Sequence, residues 1–374
     1  MKNEPIRILH CVNVMDRAGL ETMLMNYYRN IDHSKVQFDF LTHRTKDGAY
    51  DEEIKKMGGK IYHAPRLIPT NYFKYRKYMR NFFLQHKEYS IIHSHIDTMS
   101  FFPLYEAKQN KIKIRISHSH TSKLDWDLKF PIKFFGKLLI TKVSNVYFAC
   151  GKKAGKFLFG NKKFSLINNA IDMEKFQYNE KVRNKKRKEL GIDKDCFVIG
   201  HVGRYIYIKN QKFLIDVFEE ILKVKKNSRL ILIGNGPDEE KLKIKVNKLK
   251  INDKVVFLKN RSDVNELYQV MDCFVMPSLF EGVPLVAIEA QTNGLACILS
   301  DNISSETLVS DNVYFLNNNL GAIKWANIIL NLDINRNQNA IKNVRNHGYD
   351  VKVESKKLQK MYLDLYLKSK EVKK

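Results

Sequence analysis

Residues 271–301 read MDCFVMPSLFEGVPLVAIEAQTNGLACILSD. The apolar run 273–277, closed by Pro277-Ser278, predicts a short buried strand. A glycine-containing loop follows. Apolar residues at helical spacing then begin near Val283–Pro284, where a proline suits the first turn of a helix. A second strand-like run spans 296–300. Strand, helix and strand in this order form a βαβ unit, which belongs to a parallel sheet with its ligands at the C-terminal strand ends. The unit carries two acids, Glu281 in the loop and Glu289 eight residues on, about two helical turns later. Glu281 then stands at the mouth of a helix start whose N–H groups suit a phosphate. Glu289 falls on the inner face, where a carboxylate can accept hydrogen bonds from paired hydroxyls of the kind a ribose offers. Spacing alone fits equally well an N-terminal acid followed by a surface acid.

The same alternation extends outward in both directions. Apolar runs at 196–202, 229–234, 254–258 and 313–317 complete one series, and runs at 6–14, 36–42, 60–64, 91–96, 112–118 and 146–151 form another. Two such series predict two doubly wound α/β domains. Between them lies NNAID at 168–172, followed by the charged run EKVRNKKRKE at 180–189, which reads as a solvated helix or linker. The expected division is a first domain over 1–170, a linker over 171–195, a second domain over 196–345 and a tail over 346–374. In the tail Leu358, Tyr362, Leu365 and Tyr366 stand at roughly helical spacing, predicting an amphipathic helix that returns to the first domain.

Within the second series, GRYIYIKNQKFLID at 203–216 follows the strand that ends at Val202. Gly203 permits a tight turn, and Arg204 and Lys209 precede a helix. A glycine turn, two cations and a helix start converge on what a diphosphate needs. By itself the segment is equally a turn with surface cations.

Taken together, these segments resemble glycosyltransferase family 4. The pattern from Pro277-Ser278 through Glu281-Gly282 and Pro284 to Glu289-Ala290 is similar to that family's paired-glutamate signature, and GRYIYIKN to its Gly-Arg…Lys segment. GNGPDEEKLK at 234–243 resembles its Gly-x-Gly-Pro turn. NNAID resembles its interdomain motif, with Ala170 in place of glycine. DRAGLETMLMN at 16–26 resembles its N-terminal glycine loop, with Ala18 for the first glycine and Gly19 retained. Within the family the likeness is nearest to transferases of bacterial exopolysaccharide and capsule assembly.

The resemblance implies the GT-B fold, two facing Rossmann-like domains with an interdomain cleft, and a retaining, metal-independent transfer with no cofactor. It implies that Arg204 and Lys209 hold the donor diphosphate, that Glu289 binds the ribose and that Glu281 meets the transferred sugar. Gly203 and the backbone at Gly282, Val283 and Leu285 contact the donor, and Gly19 brings the N-terminal loop near the diphosphate. A family histidine at the cleft corresponds to His120, with His118 as second choice. The expected reaction moves a hexosyl or N-acetylhexosaminyl unit from a UDP-sugar to a glycan acceptor, lipid-diphosphate-linked, in surface polysaccharide synthesis. A nucleotide-sugar epimerase or a phosphorylase of the same fold is the alternative.

Composition adds bounds. The 374 residues carry 65 basic and 40 acidic side chains, a net charge of +25. Residues 1–190 hold 37 of the basic against 18 of the acidic residues, so the N-terminal half attracts polyanions. Nucleic acid is one such partner, but no RNA-recognition, helix-turn-helix or zinc-finger spacing accompanies the charge. Lys129, Lys133 and Lys137 recur every four residues among aromatic and aliphatic side chains, and 72–84 is also basic and aromatic. Both segments suit an anionic membrane surface, or else helices with a solvated lysine edge. No run of 18 apolar residues occurs, and five scattered cysteines without a CxxC pair suggest reduced thiols. The expected location is the cytoplasm, with peripheral contact at the inner membrane face. His93-Ser-His95 and His118-Ser-His120 offer metal-ligand types, yet strand alternation puts both members of each pair on one face regardless. Asp125-Trp-Asp127 mimics a metal-binding motif of an unrelated transferase fold, far from the donor segments. No metal site is expected.

Overall fold

The computed structural model describes residues 4–124, 127–259 and 261–371; Asp125 lies outside them. The chain divides into two compact units, one of residues 1–171 with 351–374 and one of residues 172–350. Each is a parallel α/β unit with α-helices between successive strands, except that a single 3-10 turn, Ser305–Thr307, joins the last two strands of the second.

In the first unit the strands are β1 (Ile6–Val12), β2 (Val36–Thr42), β3 (Ile61–His63), β4 (Ile91–Ser94), β5 (Ile114–Ser119), β6 (Val146–Ala149) and β7 (Ser165–Leu166). Their order across the sheet is β3-β2-β1-β4-β5-β6-β7, all parallel. In the second they are β8 (Phe197–Val202), β9 (Ser228–Ile233), β10 (Val255–Leu258), β11 (Cys273–Met276), β12 (Ala296–Ser300) and β13 (Val313–Leu316), ordered β10-β9-β8-β11-β12-β13. The order reverses between β1 and β4 and again between β8 and β11. A crevice opens at such a switch point, beyond the carboxyl ends of the strands.

The central strands are apolar because helices cover both faces, so β8 and β11 are buried at every position. The tail forms the helix Val351–Glu371. Its Val351, Leu358 and Tyr362 enter the first unit's core beside Tyr28, Phe38 and Phe40. The chain returns where Val351 N–H donates to the Ile171 carbonyl at 3.0 Å.

One expectation is corrected. Residues read as a linker form the helices Met173–Phe176 and Glu180–Glu189 and belong to the second unit. The charged run is not a solvated spacer. Arg187, 3% exposed, donates to the carbonyls of Asp193, Lys194, Cys196 and Val270 and to Asp272, while Arg183 donates to the carbonyls of residues 269–271 and to Asp272. Two arginines one helical turn apart thus satisfy carbonyls at the C-terminal end of the helix Val264–Val270 and in the turn before β8.

Candidate active site

At the second unit's switch point two loops meet. The loop after β8 runs from Gly203 to the short turn Tyr207–Lys209, and the loop after β11 runs from Pro277 to the helix Leu285–Thr292. Leu279 N–H donates to the Ile208 carbonyl at 2.8 Å, and Asn210, at a left-handed φ of 55°, sends Nδ2 to the Pro277 carbonyl at 3.2 Å. Gln211 fixes the other side, donating to the Arg204 carbonyl at 2.9 Å and lying 3.2 Å from His201 Nε2. Gly234, at φ 145°, lets the turn after β9 close on this loop, since a side chain there would overlap the Gly203 carbonyl.

The predicted residues of this unit lie on these two loops and on the helix that follows the second. Lys209 Nζ lies 2.7 Å from Glu281 Oε1, with both side chains mostly buried. Glu281 is held by its backbone, which bridges Ile303 and accepts from Ser304 N–H at 3.2 Å. Arg204 is exposed, and among the described residues no carboxylate pairs with it. A Cβ added at Gly282 would meet no atom within 4 Å, so the backbone there is open to a ligand. Val283 and Leu285 are buried at the helix start that follows. Ser278 adds a buried hydroxyl with no partner among the described residues.

Glu289 lies inside the helix, 8% exposed, and accepts a hydrogen bond from the Tyr268 hydroxyl at 2.9 Å. Burial pushes its carboxyl up to about 7, against the opposing pull of Tyr268. His201, below the loop, is pushed down to about 4, chiefly by burial, and stays neutral. Neither the Lys209–Glu281 pair nor the Tyr268–Glu289 contact had a sequence signal, because the partners come from separate strand–helix units.

Gly19 and His120 belong to the first unit. Gly19 begins the helix Gly19–Asn30. Its neighbour Leu20 and His120 both line a cavity of about 430 Å³ at the C-terminal ends of the strands. Asn13, His43, His95 and Thr121 also line it, each just beyond a strand. Its charged lining is Arg44, Arg66, Lys123, Lys129 and Lys133 against the single carboxylate Asp97. Arg44 and Arg66 escaped the sequence reading, since neither lies in a recognisable motif. Of the three lysines assigned to a surface, Lys129 and Lys133 thus line the cavity, and Lys133 also pairs with Asp127 at 2.8 Å. Lys137 Nζ sits 4.1 Å from the centre of the Phe157 ring. Leu128, Phe134, Phe135 and Leu138 remain exposed beside them. No helix among the described residues is long and apolar enough to cross a membrane.

Residues 182–347 match the family model described as glycosyl transferases group 1. EpsF of Bacillus subtilis (strain 168), a protein named as a glycosyltransferase, is 35% identical over 315 residues, 82% of each chain. The chain belongs to the group 1 glycosyltransferases. A second relative in this family, the capsular polysaccharide biosynthesis glycosyltransferase CapH of Staphylococcus aureus, is 26% identical over 96% of this chain and 99% of its own. Among solved structures, HepE of Anabaena in complex with UDP and glucose superposes with a TM-score of 0.80 over 96% of this chain and 99% of its own, at 17% identity. The fold is therefore GT-B, and the chain is a glycosyltransferase.

Proposed function

We propose that this glycosyltransferase moves a hexosyl or N-acetylhexosaminyl unit from a UDP-sugar to a lipid-linked glycan acceptor, with retention at the anomeric carbon and without a metal. The observation that carries the reading is the Lys209–Glu281 ion pair, which joins the loop after β8, where Arg204 also stands, to the loop after β11, which leads into the helix of Glu289. Arg204 and Lys209 supply the positive charge that a departing diphosphate needs, the largest electrostatic task of the reaction. Glu289 takes the ribose hydroxyls and Glu281 the transferred sugar. In front-side attack the bond from the anomeric carbon to the phosphate oxygen breaks, the acceptor oxygen bonds on the same face, and its proton passes to the departing phosphate. In the resting protein Lys209 is held by Glu281, so donor binding has Lys209 shared between carboxylate and diphosphate.

A UDP donor is consistent with HepE, which binds UDP, and a surface polysaccharide product with CapH, whose name carries that role. The acceptor reading draws on the cavity of the first unit, whose five cations suit a phosphorylated or diphosphate-linked acceptor. The exposed Leu128, Phe134, Phe135 and Leu138 next to lysines support peripheral contact with an anionic inner membrane face. The deciding experiment screens UDP- and GDP-sugars by thermal stabilisation and turnover. One UDP-sugar should stabilise the wild type, and Lys209→Ala should lower its turnover about a hundredfold or more; a response to none of the panel removes the reading.

A further inference from the structure

Five histidines stand side by side on neighbouring strands of the first unit. His10 is on β1 and His93 on β4 directly across from it, with His95 one step beyond; His118 is on β5, with His120 one step beyond. They form two hydrogen-bonded files. In one, Tyr362 Oη lies 2.6 Å from His93 Nδ1, and His93 Nε2 lies 3.2 Å from His118 Nδ1. In the other, His10 Nδ1 lies 2.9 Å from His95 Nε2, and His95 Nδ1 lies 3.1 Å from His120 Nε2.

The second file opens on the cavity, which both His95 and His120 line. Its far end, His10 Nε2, is buried beside Phe38 and Phe40 and has no partner among the described residues. Burial keeps all three rings neutral, with His10 and His120 each pushed down to about 3. A proton count then fixes the direction of the file. Three neutral imidazoles carry three N–H protons, and two of them fill the two nitrogen–nitrogen bonds. The third sits either on His10 Nε2 or on His120 Nδ1. On His10 it would be a buried N–H with no acceptor, the rarest kind of unpaired group. On His120 it is available to an oxygen in the cavity.

We propose that His10 and His95 are positioning residues that polarise this file and present His120 to the cavity as a neutral Nδ1–H donor, for a hydroxyl or phosphate oxygen of the bound sugar or acceptor. The identity of that oxygen rests on the transferase reading above; the direction of the file does not. Asp97 holds the donor in place, accepting the His120 and Thr121 backbone N–H groups at 2.7 and 3.2 Å. A neutral imidazole is the useful form, because its N–H donates a hydrogen bond without the acidic second proton of an imidazolium. The same rings could be taken for a metal site, since one nitrogen each of His95, His118 and His120 lies within 4.8 Å of the others. Against that, the nitrogens joining His95 and His120 already bond one another, and the five cations lining the cavity repel a divalent ion.

The test uses the full chain with ¹⁵N-labelled histidine. Long-range ¹H–¹⁵N spectra of the wild type should show His120 protonated on Nδ1 and unprotonated on Nε2, with His95 and His10 in the same tautomer. His95→Asn keeps an amide N–H at the Nδ1 position and His95→Leu does not. His95→Leu should switch His120 to the Nε2–H tautomer and lower kcat about tenfold or more at unchanged donor KM, while His95→Asn restores the Nδ1–H tautomer and most of kcat. An Nε2–H tautomer on wild-type His120 overturns the proposal, and so does one-to-one Zn²⁺ binding that disappears in His95→Leu. Equal turnover in the two variants overturns it as well. Should His95→Leu fail to fold, the wild-type tautomer alone decides. Should no sugar be transferred at all, that spectrum still reports on the file independently of the reaction.

Discussion

Donor affinity should rise with pH through neutrality, and Glu289 should be the cause. Its carboxyl is buried, accepts one hydrogen bond from Tyr268 and is pushed up to about 7. Ribose hydroxyls donate to the carboxylate, so the ionised form is the binding form. With a midpoint at about 7, roughly one-tenth of the molecules are ionised at pH 6 and nine-tenths at pH 8, which makes the affinity difference about tenfold, or about 1.4 kcal/mol. The assay is calorimetric titration with an intact UDP-sugar, whose doubly esterified diphosphate does not titrate in this window, at pH 6, 7 and 8. Glu289→Gln should flatten the dependence at the weak, low-pH level. Tyr268→Phe removes the hydrogen bond that favours the ionised form and should shift the midpoint upward. The linkage to folding has the opposite sign. Because the folded value is raised, the stabilising contribution is full below the unfolded value of 4.5 and is lost as pH rises through about 7. Glu289→Gln should therefore raise Tm at pH 8 and leave it nearly unchanged at pH 4. A wild type with pH-independent affinity, or a dependence that survives in Glu289→Gln, refutes the placement of this carboxylate on the ribose.

Three further outcomes follow from the same geometry. Lys209→Ala should lower kcat by about 10²–10³ with the fold intact, and Arg204→Ala should act in the same direction; turnover of either near wild type at saturating donor removes it from the leaving group. Activity should persist in EDTA, since side-chain cations and a helix start do the work of a metal; complete loss restored by Mn²⁺ contradicts this. Truncation after Asp350 should leave the first unit unfolded by circular dichroism. Val351, Leu358 and Tyr362 are worth about 1.5–3 kcal/mol each, together a large part of a domain's stability, and a cooperative melt at the wild-type Tm would show that the helix is dispensable.

Much of the fold was legible because buried parallel strands are apolar throughout and stop at glycine, proline or charge. The runs around β1, β8 and β11 coincide with the observed strands to within a residue or two at most edges. Ser165–Leu166 was not legible: two residues at a sheet edge carry no periodicity. The helix Glu180–Glu189 was read as solvated because its buried residues are charged: Lys186 and Arg187, with Arg183 half-buried beside them, bond carboxylates and carbonyls rather than joining an apolar core. The two glutamates and two cations could be found by motif. Their partners could not, because Tyr268 reaches Glu289 and Lys209 reaches Glu281 only after the sheet has brought their loops together. The histidine files have the same origin: each HxH pair is visible in the chain, but the bonds run across β1, β4 and β5 and depend on the strand order.

The central claim, retaining transfer from a nucleotide sugar, meets its most direct test in ¹H NMR of the slow hydrolysis of an α-linked UDP-sugar by the wild-type protein, followed before the freed sugar can mutarotate. UDP should be released with the α-anomer formed first, and both signals should be lost in Lys209→Ala. A β-anomer formed first, or release that continues undiminished in Lys209→Ala, contradicts that claim.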